Sequence, residues 1–300
     1  RLFIVGQAIY SLTTMFGPAV ILYIFDYDYP GDKMPVYLLY CLVSQIATVL
    51  GPFIGGAVAS AFGMRRMLLA VFVMFAMSTV FTLLMSRAKP VAQETREEGE
   101  KTPFSLRTHW RMYARIYGWM GLFVLLPAVQ NIAEPLMSVY LVDHRGFDTA
   151  QLGYAFTGAC LGGVLLTMLV RKKGGNLPAF WVLTGLGALF AAADAGFCAQ
   201  GLALMLAMMV LRGSSRTAIF YEQGKFTEIC EAAGRHKGMF VSAFIAARSL
   251  AMTAANNLGG ALYVRSAALP FAAELAGMGI WFVLCAWFTG FGRRAEPQVR

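Results

Sequence analysis

Charge is scarce in this chain. Asp, Glu, Lys and Arg make up 14% of its residues, where a soluble domain carries about a quarter. The charges that are present sit between long apolar stretches, which argues against a water-soluble fold. Histidine is scarcer still: His109, His144 and His236 are the three, isolated from one another in or beside loops. There is no His-Glu-x-x-His, no Gly-x-Ser-x-Gly, no Gly-Lys-Ser/Thr phosphate loop and no Cys-x-x-Cys. Zinc hydrolysis, serine hydrolysis, ATP-driven pumping and thiol redox chemistry therefore all lack their sequence signatures, and no enzyme activity, cofactor or metal site is expected. The five cysteines, Cys41, Cys160, Cys198, Cys230 and Cys285, show no close pairing. They read as small apolar residues.

Apolar residues are abundant, at 58%, and the mean hydropathy is +0.60. A membrane-spanning helix needs roughly 20 apolar residues. Nine such stretches can be read: Leu2–Phe25, Pro35–Phe62, Met67–Ser86, Ala114–Val142, Ala150–Val170, Pro178–Cys198, Leu202–Tyr221, Gly238–Val264 and Leu269–Phe291. Glycine and proline within them are tolerable, because neighbouring helices can satisfy the freed backbone groups. The chain is expected to be an all-α, multi-pass membrane protein with the lipid bilayer as its solvent.

Lysine and arginine set the expected orientation. With nine spans, one side collects Lys33, Arg87, Lys89, Arg96, Lys101, Arg107, Arg111, Arg171, Lys172, Lys173, Lys225, Arg235, Lys237, Arg293, Arg294 and Arg300. The other collects Arg65, Arg66, Arg145 and Arg265. The positive-inside rule places the richer side, with the central loop and the C-terminus, in the cytoplasm of a plasma or bacterial inner membrane. Topology accounts for most of the net charge of +9. Nucleic acid is not an expected partner, since the basic runs are short and lack interleaved stacking aromatics.

An internal echo divides the chain. Leu50-Gly51-Pro52-Phe53-Ile54-Gly55-Gly56-Ala57-Val58 ends one apolar stretch, and Ala254-Ala255-Asn256-Asn257-Leu258-Gly259-Gly260-Ala261-Leu262 ends another, 204 residues on. The same offset superposes the apolar stretches on either side. Such repeats are a transporter signature. Residues 1–86 would then be the last part of a first half, 87–112 a polar cytoplasmic loop, and 113–300 a six-helix second half. By this register roughly 90 residues, about three helices, would be needed to complete the first half, giving twelve spans in all.

Two six-helix halves joined by a polar central loop resemble the major facilitator superfamily, with helices 4 to 12 present. Gly51, Pro52, Gly55 and Gly56 resemble the helix-5 motif of its drug/proton antiporters, although Ala47 stands where that motif begins with glycine. Ala233 to Gly238 resembles the loop entering helix 11, and Gly146 to Gly153 the entry to helix 8. Other features depart from the antiporter pattern. Ile4 occupies the place of the helix-4 arginine, and Arg171-Lys172-Lys173-Gly174-Gly175 is only a degenerate form of the basic loop motif. The resemblance implies a two-half helical bundle, alternating access, and a close packing of helix 5 on helix 8 that the glycines permit.

Charges within spans cost about 2.5–3.5 kcal/mol at mid-helix and need a cavity or a partner. Gln130, Glu134 and Ser138 recur at i, i+4, i+8 beside Asn131, forming one expected polar stripe, with Pro127 and Pro135 breaking or kinking the span. Arg212 and Arg216 are an i, i+4 pair. Arg248 lies above Ser249, Thr253, Asn256 and Asn257. In the superfamily the helices carrying these groups border the central cavity, so all are candidates for substrate or proton binding. A structural Glu134–Arg salt bridge is the competing reading. Asp194 is read as a solvated helix end, and Glu222 to Lys237 as a cytoplasmic segment. The expected function is secondary transport by a single copy of the chain: export of a small amphipathic compound or drug, coupled to protons or another ion. Alternatives are uptake of an anionic metabolite bound by Arg212, Arg216 and Arg248, and a non-transporting sensor or assembly protein.

The charge asymmetry predicts that Glu98→Cys reacts with an impermeant thiol reagent only after the membrane is opened. Labelling from outside intact cells overturns the orientation.

Overall fold

The computed structural model describes residues 21–25, 33–86, 106–173, 177–196, 202–231 and 236–290. All of its regular structure is helical. Residues 21–25 are helical, and after them come α1 (Lys33–Phe62), α2 (Met64–Ser86) and α3 (Leu106–Gln130). A one-turn 3-10 helix (Glu134–Leu136) leads into α4 (Met137–Arg145). Then follow α5 (Thr149–Lys173), α6 (Ala179–Gly196), α7 (Leu202–Arg212), α8 (Ser214–Ile229), α9 (Lys237–Arg265) and α10 (Leu269–Gly290).

Helices dominate because a backbone in hydrocarbon has to satisfy its own hydrogen bonds. Among the described residues seven stretches are long and apolar enough to cross a membrane: Lys33–Leu50, Tyr113–Arg145, Gln151–Lys173, Ala179–Gly196, Ala203–Ile229, Lys237–Arg265 and Leu269–Phe288. A shorter apolar helix, Leu68–Phe81, lies within α2. The expected first span lies outside the described residues except for 21–25, as does most of the expected central loop. α3 begins at Leu106, inside the stretch read as loop.

Local chemistry sets several boundaries. Gly63, at φ +84°, separates α1 from α2 in a conformation that disfavours side chains. Gly146 ends α4 with φ +67°, its N–H reaching the carbonyl oxygens of Leu141 and Val142. The residues that resemble a helix-8 entry form a reciprocal cap. The Asp148 N–H donates to Gln151 Oε1 at 3.1 Å, and the Gln151 N–H donates to Asp148 Oδ1 at 2.7 Å.

Two expected spans are interrupted. The stretch Ala114–Val142 breaks after Gln130. Pro135 has no N–H to give the Asn131 carbonyl, and the Asn131 side chain instead donates to the Pro127 carbonyl at 2.8 Å. The expected Gln130–Glu134–Ser138 stripe is therefore not one helix face. The stretch Leu202–Tyr221 turns at Gly213 and runs on to Ile229, so Glu222–Ile229 is not a separate surface helix but the largely buried continuation of α8.

α8 is the centre of the packing, touching α1, α3, α5, α6, α7 and α9. α1 lies along α5 and α8, and α3 along α9 and α10. Phe25, Tyr37 and Leu38 enter the same apolar core as Phe123, Phe226, Phe240 and Trp281. Backbones approach closely at glycines. A methyl group on Gly213 would overlap the Ala159 carbonyl and the Gly163 N–H of α5, and one on Gly162 the Val210 carbonyl. A methyl group on Gly259 of α9 would overlap the Ile132 carbonyl at the α3 break. The backbone of α1 is helical through Gly51, Pro52, Gly55 and Gly56, whose side-chain surroundings lie outside the described residues.

Gly259→Ala is expected to lower stability by about 1–3 kcal/mol, since the wedge meets backbone, which has nowhere to turn. Gly260→Ala, with nothing within 4 Å, is expected to leave it unchanged. Thermal unfolding of the detergent-solubilised variants compares the two, and equal midpoints overturn the close approach.

Candidate functional site: a buried guanidinium among three carboxyls

Both helix breaks converge on Arg212, the last residue of α7. Its Nε donates to Glu134 Oε2 at 3.1 Å. Its Nη1 donates to Asp194 Oδ1 of α6, and its Nη2 to Glu274 Oε2 of α10 at 3.1 Å. The guanidinium also lies over the Phe190 ring, 4.7 Å from its centroid. Glu274 closes the other break as well: its Oε1 accepts the Ala133 N–H at 2.8 Å, a donor that the interruption of α3 leaves without a helical partner.

Burial separates the three acids. The Asp194 and Glu274 side chains are 0% exposed, whereas that of Glu134 is 38% exposed. One guanidinium cannot neutralise three ionised carboxylates. Asp194 and Glu274 are held inside, and Glu134 alone of the acids also meets the surroundings. Asp194 is thus no solvated helix end but a buried ligand of Arg212. The geometry realises a Glu134–Arg212 ion pair, as the structural reading of these residues had it, and extends it to two further acids.

A second polar group lies along α8, toward the Lys33 end of α1. Glu222 is fully buried and neither of its carboxyl oxygens has a hydrogen-bond partner. Arg248 of α9 interacts with it electrostatically, yet spends its Nη1 and Nη2 on Gln223 Oε1, at 3.2 and 3.3 Å. Gly224, one residue past Gln223, packs on Met34 and Tyr37 of α1. Between the two groups runs a hydrogen-bonded line. Gln45 Nε2 donates to Thr167 Oγ1 at 2.7 Å, the Thr167 and Thr217 hydroxyls lie 3.0 Å apart, and Thr217 donates to the Gly163 carbonyl at 3.1 Å. It ties α1 to α5 and α8.

The other candidates are dispersed. Gln130 is buried and its amide has no hydrogen-bond partner. Arg216 is half-buried on α8, and Asn256 and Asn257 are exposed on α9. The Ser249 and Thr253 hydroxyls donate to carbonyls of their own helix. Reading the sequence missed Glu274 and misplaced Asp194 and Glu222. Each is a lone acid in or beside an apolar run, a signal that was there to follow. Past the last span residue of α8, burial pushes the Cys230 thiol up to about 12 against the opposing pull of Lys237, which leaves it an unreactive packing residue at neutral pH. Cys41, Cys160 and Cys285 are buried as well, and none of them is in a disulfide among the described residues.

A family model described as Major Facilitator Superfamily matches residues 1–221. The chain belongs to the major facilitator superfamily. No curated protein matches it. With the helices above, membership makes it a multi-pass integral membrane protein and a secondary transporter. The family match takes in Glu134, Asp194 and Arg212; Arg248 and Glu274 lie beyond its end.

In this superfamily member, Arg212→Leu is expected to cost about 3–5 kcal/mol, because it strands buried acids. Adding Asp194→Asn and Glu274→Gln to Arg212→Leu should recover part of that loss. Thermal unfolding and membrane yield measure both, and a triple variant no better than the single one shows that the acids do not depend on Arg212.

Proposed function

We propose that this transporter exports a small amphipathic compound in exchange for protons, and that Glu134 is the group through which protons enter the cycle. The observation that carries this reading is the unequal sharing of Arg212. Two of its acids are sealed in the interior, and the third is at once paired to it and accessible.

A proton arriving at Glu134 cancels its charge and weakens its hold on Arg212 Nε, while Asp194 and Glu274 keep the guanidinium in place. Because Glu134 opens the 3-10 turn, this change acts where α3 is interrupted and α4 begins. The break needs little helix energy to move, having already given up its regular hydrogen bonds. Protonation is thereby converted into a shift of the outer segment against α10, a step of the kind that alternating access requires. The resemblance of Gly51, Pro52, Gly55 and Gly56 to the antiporter motif supports exchange as the direction of coupling.

Uptake of an anionic metabolite is the second reading. It is favoured by Arg248, whose guanidinium forms hydrogen bonds to a neutral amide and not to a carboxylate. Arg212 is a weaker candidate for that role, since its donors are taken by acids of the chain.

Glu134→Gln is expected to abolish the pH-gradient dependence of dye efflux from energised cells while sparing counterflow of the same amphipathic dye in proteoliposomes, which needs no net proton movement. Gradient-driven efflux that persists in Glu134→Gln assigns the carboxyl to structure alone. Import of an organic anion with protons, in place of dye efflux, selects the second reading.

A further inference from the structure

We infer that Gln45 of α1 is a positioning residue for proton coupling: through Gly163 and Gly213 it sets how firmly Arg212 is held among its acids. The inference rests on the reading that the Arg212 group binds protons. By the 204-residue echo α1 belongs to one half of the chain and α5 to α10 belong to the other. The seam of α1 on α5 and α8 is thus one that alternating access would open. Gly213, Thr217 and Gly224 share one face of α8 and its leading turn, and Met34, Tyr37 and Gln45 share one face of α1. The two faces meet at two levels. Met34 and Tyr37 sit on Gly224, and further along Gln45 Nε2 donates to Thr167 Oγ1 at 2.7 Å, with the Thr217 hydroxyl 3.0 Å beyond.

Each step from Gln45 to Arg212 is a contact without slack. A methyl group on Gly163 would overlap Gln45 Oε1 and press on the Gly213 carbonyl. One on Gly213 would overlap the Gly163 N–H and the Ala159 carbonyl. Gly213 directly follows Arg212, in the turn between α7 and α8. A shift of α5 at Gly163 therefore moves the backbone that carries the guanidinium. What passes along this route is position, not charge. α1 carries no charged residue after Lys33, its other titratable groups being Tyr37, Tyr40 and Cys41. α5 carries none before Arg171, its other titratable groups being Tyr154 and Cys160. Of the remaining elements packed on α7, α6 brings Asp194 and α8 the half-buried Arg216. Glu134 and Glu274 complete the group from the α3 break and α10.

The bond at Gln45 is also one that can open. The side chain is 3% exposed and spends its donor on Thr167, while Oε1 has no hydrogen-bond partner. A buried amide satisfied on one side only adds little net stability. When the seam parts, water reaches both ends of the amide, and Thr167 keeps the Thr217 hydroxyl. With α1 withdrawn, Gly163 is no longer pressed toward Gly213, and Arg212 gains room to draw back from Glu134. An acid that loses a guanidinium partner binds a proton more readily. Opening of the seam and binding of the proton are thereby linked, and such linkage is reciprocal.

Electron-spin distances test this on the full chain in liposomes, without a transported substrate. Nitroxides are placed at Val43→Cys on α1 and Leu165→Cys on α5, both exposed positions, with the native cysteines replaced by alanine. Lowering the pH should lengthen the distance. Gln45→Met, as long as glutamine but without its hydrogen bond, should move the midpoint of that change up by roughly half to one pH unit, because less proton binding is then needed to open the seam. Thr167→Val should act alike, and Thr167→Ser, which keeps the hydroxyl, should titrate as the native chain does. A bond that only packs α1 on α5 would change the unfolding temperature and leave the midpoint where it is. A distance that ignores pH, or one midpoint common to all four chains, overturns the inference. Should Gln45→Met fail to fold, the Thr167→Val and Thr167→Ser pair decides by the same criterion. Glu134→Gln separates this inference from the proposal above. A pH response that persists in Glu134→Gln and still shifts with Gln45→Met upholds the role of Gln45 while removing Glu134 as the point of proton entry.

Discussion

A guanidinium inside a membrane protein has to be met by hydrogen-bond acceptors, and the acids that meet Arg212 organise much of this molecule. Its acids come from three separate elements: Glu134 at the α3 break, Asp194 on α6 and Glu274 on α10. Each was costly to bury alone, and together they offset one another. The cluster therefore pins four parts of the chain to one point. It also explains how two broken helices can exist in an apolar surrounding. The Ala133 N–H freed by the break in α3 goes to Glu274, and the break after Arg212 is packed backbone to backbone against α5 at Gly213.

Around that point the bundle is built from two kinds of contact. Glycines allow backbones to touch, as Gly162, Gly163 and Gly213 do between α5 and the α7–α8 turn, and as Gly259 does at Ile132. Large side chains fill the remainder, with Trp281 fully buried and its indole N–H donating to the Leu122 carbonyl at 3.1 Å. Small-residue contacts of this kind carry little energy each and tolerate sliding. Charged contacts are stronger and respond to protons. A carrier that alternates between arrangements needs both, and α8 carries both along its length.

Much of the architecture was legible in the residues. Long apolar runs, charges confined to their ends and the 204-residue echo led to a helical membrane bundle of the major facilitator type, because lipid leaves an apolar chain few other options. Pro127 and Pro135 announced an interruption. The candidates Glu134 and Arg212 do meet. Less was legible of their company. Asp194 looked like a solvated end because it closes an apolar run, and Glu222 looked cytoplasmic because polar residues follow Tyr221. Both inferences used local hydropathy, which cannot tell a helix leaving the membrane from one whose polar face is covered by other helices.

The sequence by itself determined the solvent, the helices and the rarity of charge within them, since these follow from composition and from the need of each backbone group for a partner. Only the tertiary structure decided which charges share a site. Residues 134, 194, 212 and 274 are far apart in the chain and obey no common spacing. Their encounter depends on how α3, α6, α7 and α10 pack, and the glycines and large apolar side chains along their faces govern that packing, not the charges themselves. The same packing left Glu222 without a donor and Arg248 beside it. Burial of a lone acid is a property of its neighbours, and no window of sequence around residue 222 contains them.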